Sequence, residues 1–295
     1  MSSSSHRPLR ARACAKINLT LRVLGIRPDG YHELRTTFQS LALHDTLVFS
    51  PVRGPFAISA SDPACPADDS NLVWKVAQRV WKASGRRGGP AGVGVHIVKR
   101  IPVQAGLGGG SSDAAAALRA LRALWAPALP DARLEAIGRS LGADVAFFMH
   151  GGTVLGVERG DLLFPLQDRA RAWVVLARPD FGVSTKDAYS WWDDADRQAR
   201  GAASSERLRG EYVNDLEPPV AARHPRVAQL VRKLKREGAD FAAMSGSGAA
   251  VFGLFAARID AVRAAGRIGN RHTATWVTRT TNRREYLRAV GPTRA

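Results

Sequence analysis

Residues 102–114 read Pro-Val-Gln-Ala-Gly-Leu-Gly-Gly-Gly-Ser-Ser-Asp-Ala, and they join a predicted strand at 93–98 to a predicted helix at 112–125. Because glycine has no Cβ, consecutive backbone N–H groups of this stretch can approach an anion closely. The helix adds unpaired N–H groups and the positive end of its dipole. The stretch therefore predicts a phosphate-binding loop. Ser111 or Ser112 could cap the helix or present a hydroxyl to a nucleotide-bound Mg²⁺.

Two common phosphate-binding motifs do not fit this glycine loop. A P-loop needs a Lys after its glycines, and no Lys follows them here. A dinucleotide fingerprint beginning at Gly106 needs a third glycine where Ser111 stands. The loop thus indicates a phosphate site of unspecified kind, and the alternative is a flexible turn before a helix.

The composition is that of a globular protein with a basic surface. The 295 residues are 45% hydrophobic and 23% charged, which excludes a chain disordered over most of its length. A formal net charge of +17 favours anionic partners, namely nucleic acid, a membrane surface or phosphorylated small molecules. The basic residues are scattered through every segment, which favours a solvated Arg-rich surface as the explanation of the charge.

The cysteine content and the N-terminus bear on location. Cys14 and Cys65 cannot build a disulfide framework, and no Cys/His cluster has metal-site spacing, so we expect a reducing cytoplasm. No apolar run reaches the roughly 20 residues that cross a bilayer. Residues 1–12 lack the apolar centre of a signal peptide and predict a short flexible tail.

Hydrophobic periodicity predicts an antiparallel β unit followed by alternating helices and strands. Residues 16–23 alternate between apolar and polar side chains, and a turn follows at 27–30. A helix is predicted over 72–83, behind the capping residues at 68–71. Further strands are predicted at 36–43, 46–52, 152–157, 172–177, near 241, 250–255 and 273–279, and further helices at 133–141, 220–237 and 259–268.

The absence of parallel-sheet hydrophobic runs favours an α+β class. We expect two domains, residues 13–162 and 163–295. Residues 193–211 are polar and weakly periodic, which predicts a long surface loop or hinge that could close over a site.

Three motifs in order resemble those of the GHMP small-molecule kinases: residues 15–19 (Ala-Lys-Ile-Asn-Leu), the glycine loop, and residues 244–252 (Met-Ser-Gly-Ser-Gly-Ala-Ala-Val-Phe). Residues 29–32, 141–145 and 214–217 resemble the branch that phosphorylates a hydroxyl of a cytidine-diphosphate polyol for isoprenoid synthesis. The resemblance implies a two-domain α+β GHMP kinase fold with ATP in the interdomain cleft. It also implies ATP and Mg²⁺ as cofactors, small-molecule substrates, no specific nucleic acid, no membrane, and a monomer or weak homodimer.

By this resemblance the catalytic pair is Lys16 and Asp144. Asp144 accepts the proton of the attacking hydroxyl, while Lys16 holds the geometry and offsets the developing negative charge. The residues alone leave alternatives open. Lys16 could be an exposed lysine at a strand end, and Asp144, which lies among apolar neighbours, could be a helix N-cap.

The resemblance also assigns the residues that bind the two substrates. Tyr31 and His32 are expected to stack on the cytosine and read its edge, with Tyr189 on the other side, although a half-buried hairpin pair is the alternative. Asn71 and Lys99 match the adenine pocket, although Lys99 could be a solvated strand end. Residues 245–248 would buttress the phosphate loop or meet the diphosphate. The remaining assignments are ATP contacts at Pro102, Val103, Gln104, Ala105, Gly106, Leu107, Gly108, Gly109, Gly110, Ser111 and Ser112, and acceptor contacts at Asn18, Thr185, Gly246, Ser247 and Gly248.

Two other functions remain open at this point. Another GHMP kinase, for homoserine or mevalonate, would share the glycine loop but lack the cytosine-reading pair. A basic RNA-binding module would account for the net charge. Metal ligands beyond a serine hydroxyl are unassigned.

Overall fold

A computed structural model of the chain describes residues 7–200 and 213–294, without the side chains of residues 198–200. Its strands are β1 (Leu9–Ile26), β2 (His32–Pro55), β3 (Ala57–Ala60), β4 (Ala91–Val98), β5 (Thr153–Glu158), β6 (Leu162–Pro165), β7 (Trp173–Pro179), β8 (Phe241–Met244), β9 (Val251–Phe255), β10 (Thr273–Arg279) and β11 (Thr293–Arg294). Its helices are α1 (Leu72–Ala83), α2 (Gly109–Trp125), α3 (Asp131–Leu141), α4 (Ala143–His150), α5 (Thr185–Arg200), α6 (Glu217–Arg223), α7 (Pro225–Arg236), α8 (Arg258–Ile268) and α9 (Arg283–Val290).

The strands form two separate sheets. The first has seven strands in the order β11-β1-β2-β4-β3, with β5 and β6 branching from β2, and all its pairings except β3 with β4 are antiparallel. The second has four antiparallel strands in the order β10-β7-β9-β8. This arrangement confirms the α+β class.

Each sheet has its own helical cover, and a third apolar cluster joins the two sheets. Helices α1 to α4 bury their apolar faces with the first sheet, and α5 to α8 with the second. The joining cluster includes Ile17 of β1, Leu41 of β2 and Leu176 of β7, together with Leu107 of the glycine loop. The loop therefore lies directly over the junction between the sheets, and its apolar side chains anchor it there.

Several predicted elements need correction. The N-terminal tail is wrong for residues 9–12, because they belong to β1 and pair with β2 and β11, while residues 1–6 lie outside the described part. The strands predicted at 36–43 and 46–52 are one strand, β2. The helix predicted over 220–237 is broken at His224, since the residue before Pro225 is disfavoured in the α region. Helices α4, α5 and α9 were not predicted.

The hinge predicted at residues 193–211 is wrong for its first part. Residues 193–200 belong to α5, whose apolar side buries Ala188 and Trp192 in the second core. Residues 201–211 lie outside the described residues.

The domain boundary at 162/163 stays a proposal. Strand β6 lies across this boundary and pairs with β5, and β11 at the end of the chain pairs with β1. Tyr286 of α9 is likewise buried in the first core. None of the helices in the described part is long and apolar enough to cross a membrane.

Candidate active site

One cavity of about 1170 Å³ collects the sequence-predicted site residues from both halves of the chain. Every one of them lines this cavity except Ser112 and Ser245, which are buried. Its walls come from β1, the 27–31 turn, the glycine loop, the start of α4, the start of α5 and the 246–248 loop.

Lys16 lies near the middle of β1, where the register shifts between Cys14 and Lys16 and again between Asn18 and Thr20. Its side chain is only 4% exposed, so the alternative of a solvated strand-end lysine is wrong. Residues two apart on a strand share one face, and the Lys16 ammonium donates to Asn18 Oδ1 at 2.7 Å. Asn18 is oriented in turn by donating to Thr36 Oγ1 at 2.8 Å.

Asp144 lies in the first turn of α4, where the helix dipole stabilises a negative charge. The N-cap of this helix is Gly142, so the alternative of Asp144 as N-cap is wrong. Asp144 Oδ2 lies 3.3 Å from Lys16 Nζ, and the Asp144 side chain is 33% exposed, so the carboxylate faces the cavity while paired with a buried cation.

The far end of α4 is fixed to the first core. Phe147 and Phe148 are fully buried. The Tyr286 hydroxyl donates to Phe148 O at 2.5 Å, and Arg119 donates to the carbonyls of Phe148 and Met149 at 2.7 and 3.0 Å. These donors satisfy C-terminal carbonyls of the helix. They fix the position of α4, and therefore of Asp144 in its first turn.

The glycine loop leads into α2 with backbone groups facing the cavity. The N-cap of α2 is Gly108, in the left-handed conformation with φ 71°, and no side chain caps the helix. The Ser112 hydroxyl donates to Cys14 O at 2.6 Å and is buried, so the prediction that Ser112 caps the helix or faces a nucleotide is wrong. Ser111 lines the cavity, and the N–H groups of Gly109, Gly110 and Ser111 form the first turn.

The third motif, residues 244–252, packs against the glycine loop. This agrees with the first of the two roles predicted for residues 245–248, namely support of that loop. The Ser245 hydroxyl donates to Gly106 O at 3.0 Å. A Cβ at Gly106 would lie 2.2 Å from Ser245 O, so only glycine permits this approach. Gly246 lies beside the ion pair of Lys16 and Asp144, since a Cβ there would be 3.5 Å from Lys16 Nζ.

Lys99 and Asn71 have structural partners. Lys99 is buried and its ammonium lies 2.5 Å from Asp45 Oδ2 and 2.8 Å from Asp113 Oδ2, so the alternative of a solvated strand end is wrong. Burial alone would lower the pKa of Lys99, but the carboxylates of Asp113 and Asp45 outweigh it and raise the pKa. Asn71 caps α1 by accepting from Val73 N at 2.9 Å.

The three rings predicted to bind cytosine, those of Tyr31, His32 and Tyr189, line the same cavity. His32 and Tyr189 contact each other, so no gap for a base lies between these two rings. Their centroids are 4.6 Å apart, and the rings are tilted by 32°. His32 Nε2 lies 2.8 Å from Asp193 Oδ1. Tyr31 is 59% exposed, with the Arg159 guanidinium 5.3 Å from its ring centroid. Burial, with the nearby charge of Asp144, raises the pKa of Tyr189, so its hydroxyl stays protonated.

The sequence interpretation missed four charged residues of the site: Asp45, Asp113, Arg159 and Asp193. Asp113 belongs to the quoted stretch 102–114, so the motif itself could have drawn attention to it. Asp45 and Asp193 have no local signal, because their partners Lys99 and His32 lie far away along the chain. Arg159 pairs with Asp161 close by, but it lies outside every motif that the sequence interpretation used. Among the described residues, no group of three or more His, Cys, Asp or Glu side chains could hold a metal ion.

The close approach at Gly106 gives a direct stability test. Gly106→Ala should lower the free energy of unfolding by about 1–3 kcal/mol, because the new Cβ meets Ser245 O and the residue has a positive φ. Urea unfolding measures this change. Gly110→Ala is the matched control, since its Cβ would meet nothing within 4 Å, and it should keep stability or raise it by up to about 1 kcal/mol. Equal stability of the two variants would contradict the contact.

Comparison with known proteins agrees with this geometry. The family model described as GHMP kinases N terminal domain matches residues 71–152, and that described as GHMP kinases C terminal matches residues 194–272. A crystal structure of homoserine kinase from Cytophaga hutchinsonii shares the fold, with a TM-score of 0.67 over 99% of this chain and 98% of that chain, at 16% identity.

Two further proteins are similar in sequence as well. A 4-diphosphocytidyl-2-C-methyl-D-erythritol kinase from Solibacter usitatus is 43% identical over 290 residues, covering 91% of this chain and 87% of the relative. A crystal structure of 4-(cytidine 5'-diphospho)-2C-methyl-D-erythritol kinase is 34% identical, with a TM-score of 0.76 over 92% of this chain and 99% of that chain. This chain therefore belongs to the GHMP kinases and, within them, to the family of the 4-diphosphocytidyl-2-C-methyl-D-erythritol kinases.

Proposed function

We propose that this protein transfers the γ-phosphoryl group of ATP to the 2-hydroxyl of 4-diphosphocytidyl-2-C-methyl-D-erythritol, with Lys16 and Asp144 as the catalytic pair. The activity is the one that its relatives carry in their names. The observation that supports the residue assignment best is the 3.3 Å ion pair between these two side chains at the meeting point of the glycine loop and the 246–248 loop.

The nucleotide side of the site is the glycine loop. The first turn of α2 presents backbone N–H groups and a positive dipole end, which suit the phosphates of ATP. The Ser111 hydroxyl lines the cavity at this turn and is the side-chain oxygen there that could reach a phosphate-bound Mg²⁺. Such an ion takes most of its ligands from phosphates and water, and it would neutralise phosphate charge.

The acceptor side is formed by the 27–31 turn and α5. His32 offers an imidazole edge and Tyr189 a partly buried ring, and both line the cavity beside the catalytic pair. The contact between Asp193 and His32 Nε2 favours the tautomer with a proton on that nitrogen, which leaves Nδ1 as an acceptor. In the proposal the two rings part to admit the cytosine, and Thr185 and Ser247, 3.2 Å apart, lie along the diphosphate.

Phosphoryl transfer requires an aligned nucleophile and neutralised charge. Asp144 accepts the proton of the 2-hydroxyl while the oxygen of that hydroxyl forms a bond to the γ-phosphorus. The bond from that phosphorus to the bridging oxygen breaks, and ADP leaves along the glycine loop. Lys16 cannot turn away into solvent, because it is buried and donates to Asn18, so its charge stays beside the transferred group.

The proposal also includes the setting in which the enzyme acts. We propose that it acts in a reducing cytoplasm, as a monomer or weak homodimer, on two small-molecule substrates. The two free cysteines support the reducing compartment. The cavity that the described residues line supports the binding of both substrates side by side.

The role of Asp144 has a kinetic test. Asp144→Asn should lower kcat by about 10²- to 10⁴-fold, because the amide cannot accept the hydroxyl proton. The ATP dissociation constant should change little, since the phosphate contacts are backbone groups of another element. Steady-state ADP release and calorimetric ATP binding measure the two quantities. Asp131→Asn, on the surface at the start of α3, is the matched control. Near-normal kcat in Asp144→Asn would remove Asp144 from this role.

The role of His32 has a separate test. His32→Ala should raise KM for the cytidylated acceptor at least ~10-fold, equivalent to about 1.4 kcal/mol, and leave KM for ATP unchanged. His96→Ala, on the exposed face of β4, is the control and should change neither constant. An effect of His32→Ala on ATP instead of the acceptor would place the cytosine pocket elsewhere.

A further inference from the structure

Three buried charged residues lie beneath the glycine loop: Asp45 of β2, Lys99 just after β4, and Asp113 in α2. Lys99 Nζ is 2.5 Å from Asp45 Oδ2 and 2.8 Å from Asp113 Oδ2. The other oxygen of Asp45 accepts from Arg100 N at 2.5 Å and from Ile101 N at 2.8 Å. Asp45 therefore holds the chain where the glycine loop begins, and Asp113 holds the helix where the loop ends.

The three charges are costly to bury and are retained only as a group. The side chains of Asp45 and Asp113 are 0% and 2% exposed, and a buried charge left without its partner destabilises a protein strongly. Burial also raises the pKa of Asp113, against the effect of Lys99. Asp113 Oδ1 has no hydrogen-bond partner among the described residues, so the position of this carboxylate depends on Lys99.

The ammonium group also lies against the loop backbone. A Cβ at Gly109 would be 3.4 Å from Lys99 Nζ, so the cation lies beside the first residue of α2. Both of its short contacts are to carboxylates, and reaching a phosphate would break them. Lys99 thus lies in the cavity wall without being available as a free cation for the nucleotide.

We infer that Asp45, Lys99 and Asp113 form a clamp that fixes the start of the glycine loop against the first turns of α2, and so positions the backbone N–H groups for the phosphates of ATP. Lys99 is then a positioning residue rather than a group that binds the nucleotide. The inference rests on the proposed ATP site.

A clamp and a direct contact predict different dependences on the nucleotide. If the clamp sets the loop, its loss weakens binding of the phosphates and leaves binding of adenosine alone unchanged. If Lys99 or Asp113 contacts the base or ribose, adenosine binding falls as well. The affinity of ATP relative to that of adenosine therefore separates the two roles.

The experiment measures dissociation constants of adenosine, ADP and a non-hydrolysable ATP analogue by calorimetry, for the full chain and for Asp113→Asn. We expect the ATP analogue to bind at least ~10-fold more weakly to the variant and adenosine to bind within about twofold of the original affinity. Asp131→Asn is again the surface control. Asp113→Glu, which keeps the charge, should recover part of the lost affinity.

Asp113→Asn leaves Lys99 with one carboxylate, so a second variant covers the case in which it does not fold. Lys99→Met combined with Asp45→Asn and Asp113→Leu removes all three charges and leaves no unpaired ion in the core. We expect the same selective loss of the ATP analogue in this triple variant. An unchanged ATP affinity, or an equal loss of adenosine affinity, would overturn the clamp. Failure of the unaltered chain to bind the ATP analogue more tightly than adenosine would instead contradict the proposed function.

Discussion

The buried ammonium of Lys16 is the constraint on which the site depends. A charge that is 4% exposed must have fixed polar partners, and its partners here are Asn18 on the same strand face and Asp144 at the start of α4. The ring of Phe38 lies below it, 5.4 Å from Nζ to the centroid. Each partner comes from a different element, so the pairing fixes the position of α4 against β1. The carboxylate is thereby placed in the cavity, where it can accept a proton.

Gly106 and Gly108 are required because backbone segments from distant parts of the chain approach each other closely around this ammonium. A Cβ at Gly108 would lie 3.2 Å from Lys16 Cε, and a Cβ at Gly106 would overlap Ser245 O. The glycine loop of one half and the Ser-Gly loop of the other therefore meet over the joining core cluster, with Lys16 between them. The same close packing that excludes side chains leaves backbone N–H groups at the cavity surface, where we propose that the phosphates bind. Fold and chemistry thus share one requirement, namely small residues at this junction.

Sequence reasoning was strongest where function is encoded locally. The glycine loop, the α+β class and most strands and helices follow from composition and periodicity, and the family follows from ordered motifs. Helix α4 was missed because its eight residues are almost all apolar and show no amphipathic period. Helix α5 was missed because residues 193–200 are mostly polar and weakly periodic, and so resemble a loop in sequence. The partners of Lys99 and His32 were missed because pairing across the fold leaves no trace in local sequence.

In the proposed reaction the transferred phosphoryl group lies beside Lys16, and the attacking 2-hydroxyl lies against Asp144. A crystal structure of the complex with a non-hydrolysable ATP analogue and the cytidylated acceptor tests this arrangement most directly. We expect the phosphates along residues 105–112, with the Lys16 ammonium beside the terminal phosphate. We also expect an Asp144 oxygen about 3 Å from the 2-hydroxyl. A triphosphate bound away from the glycine loop, or a 2-hydroxyl beyond hydrogen-bond reach of Asp144, would contradict it.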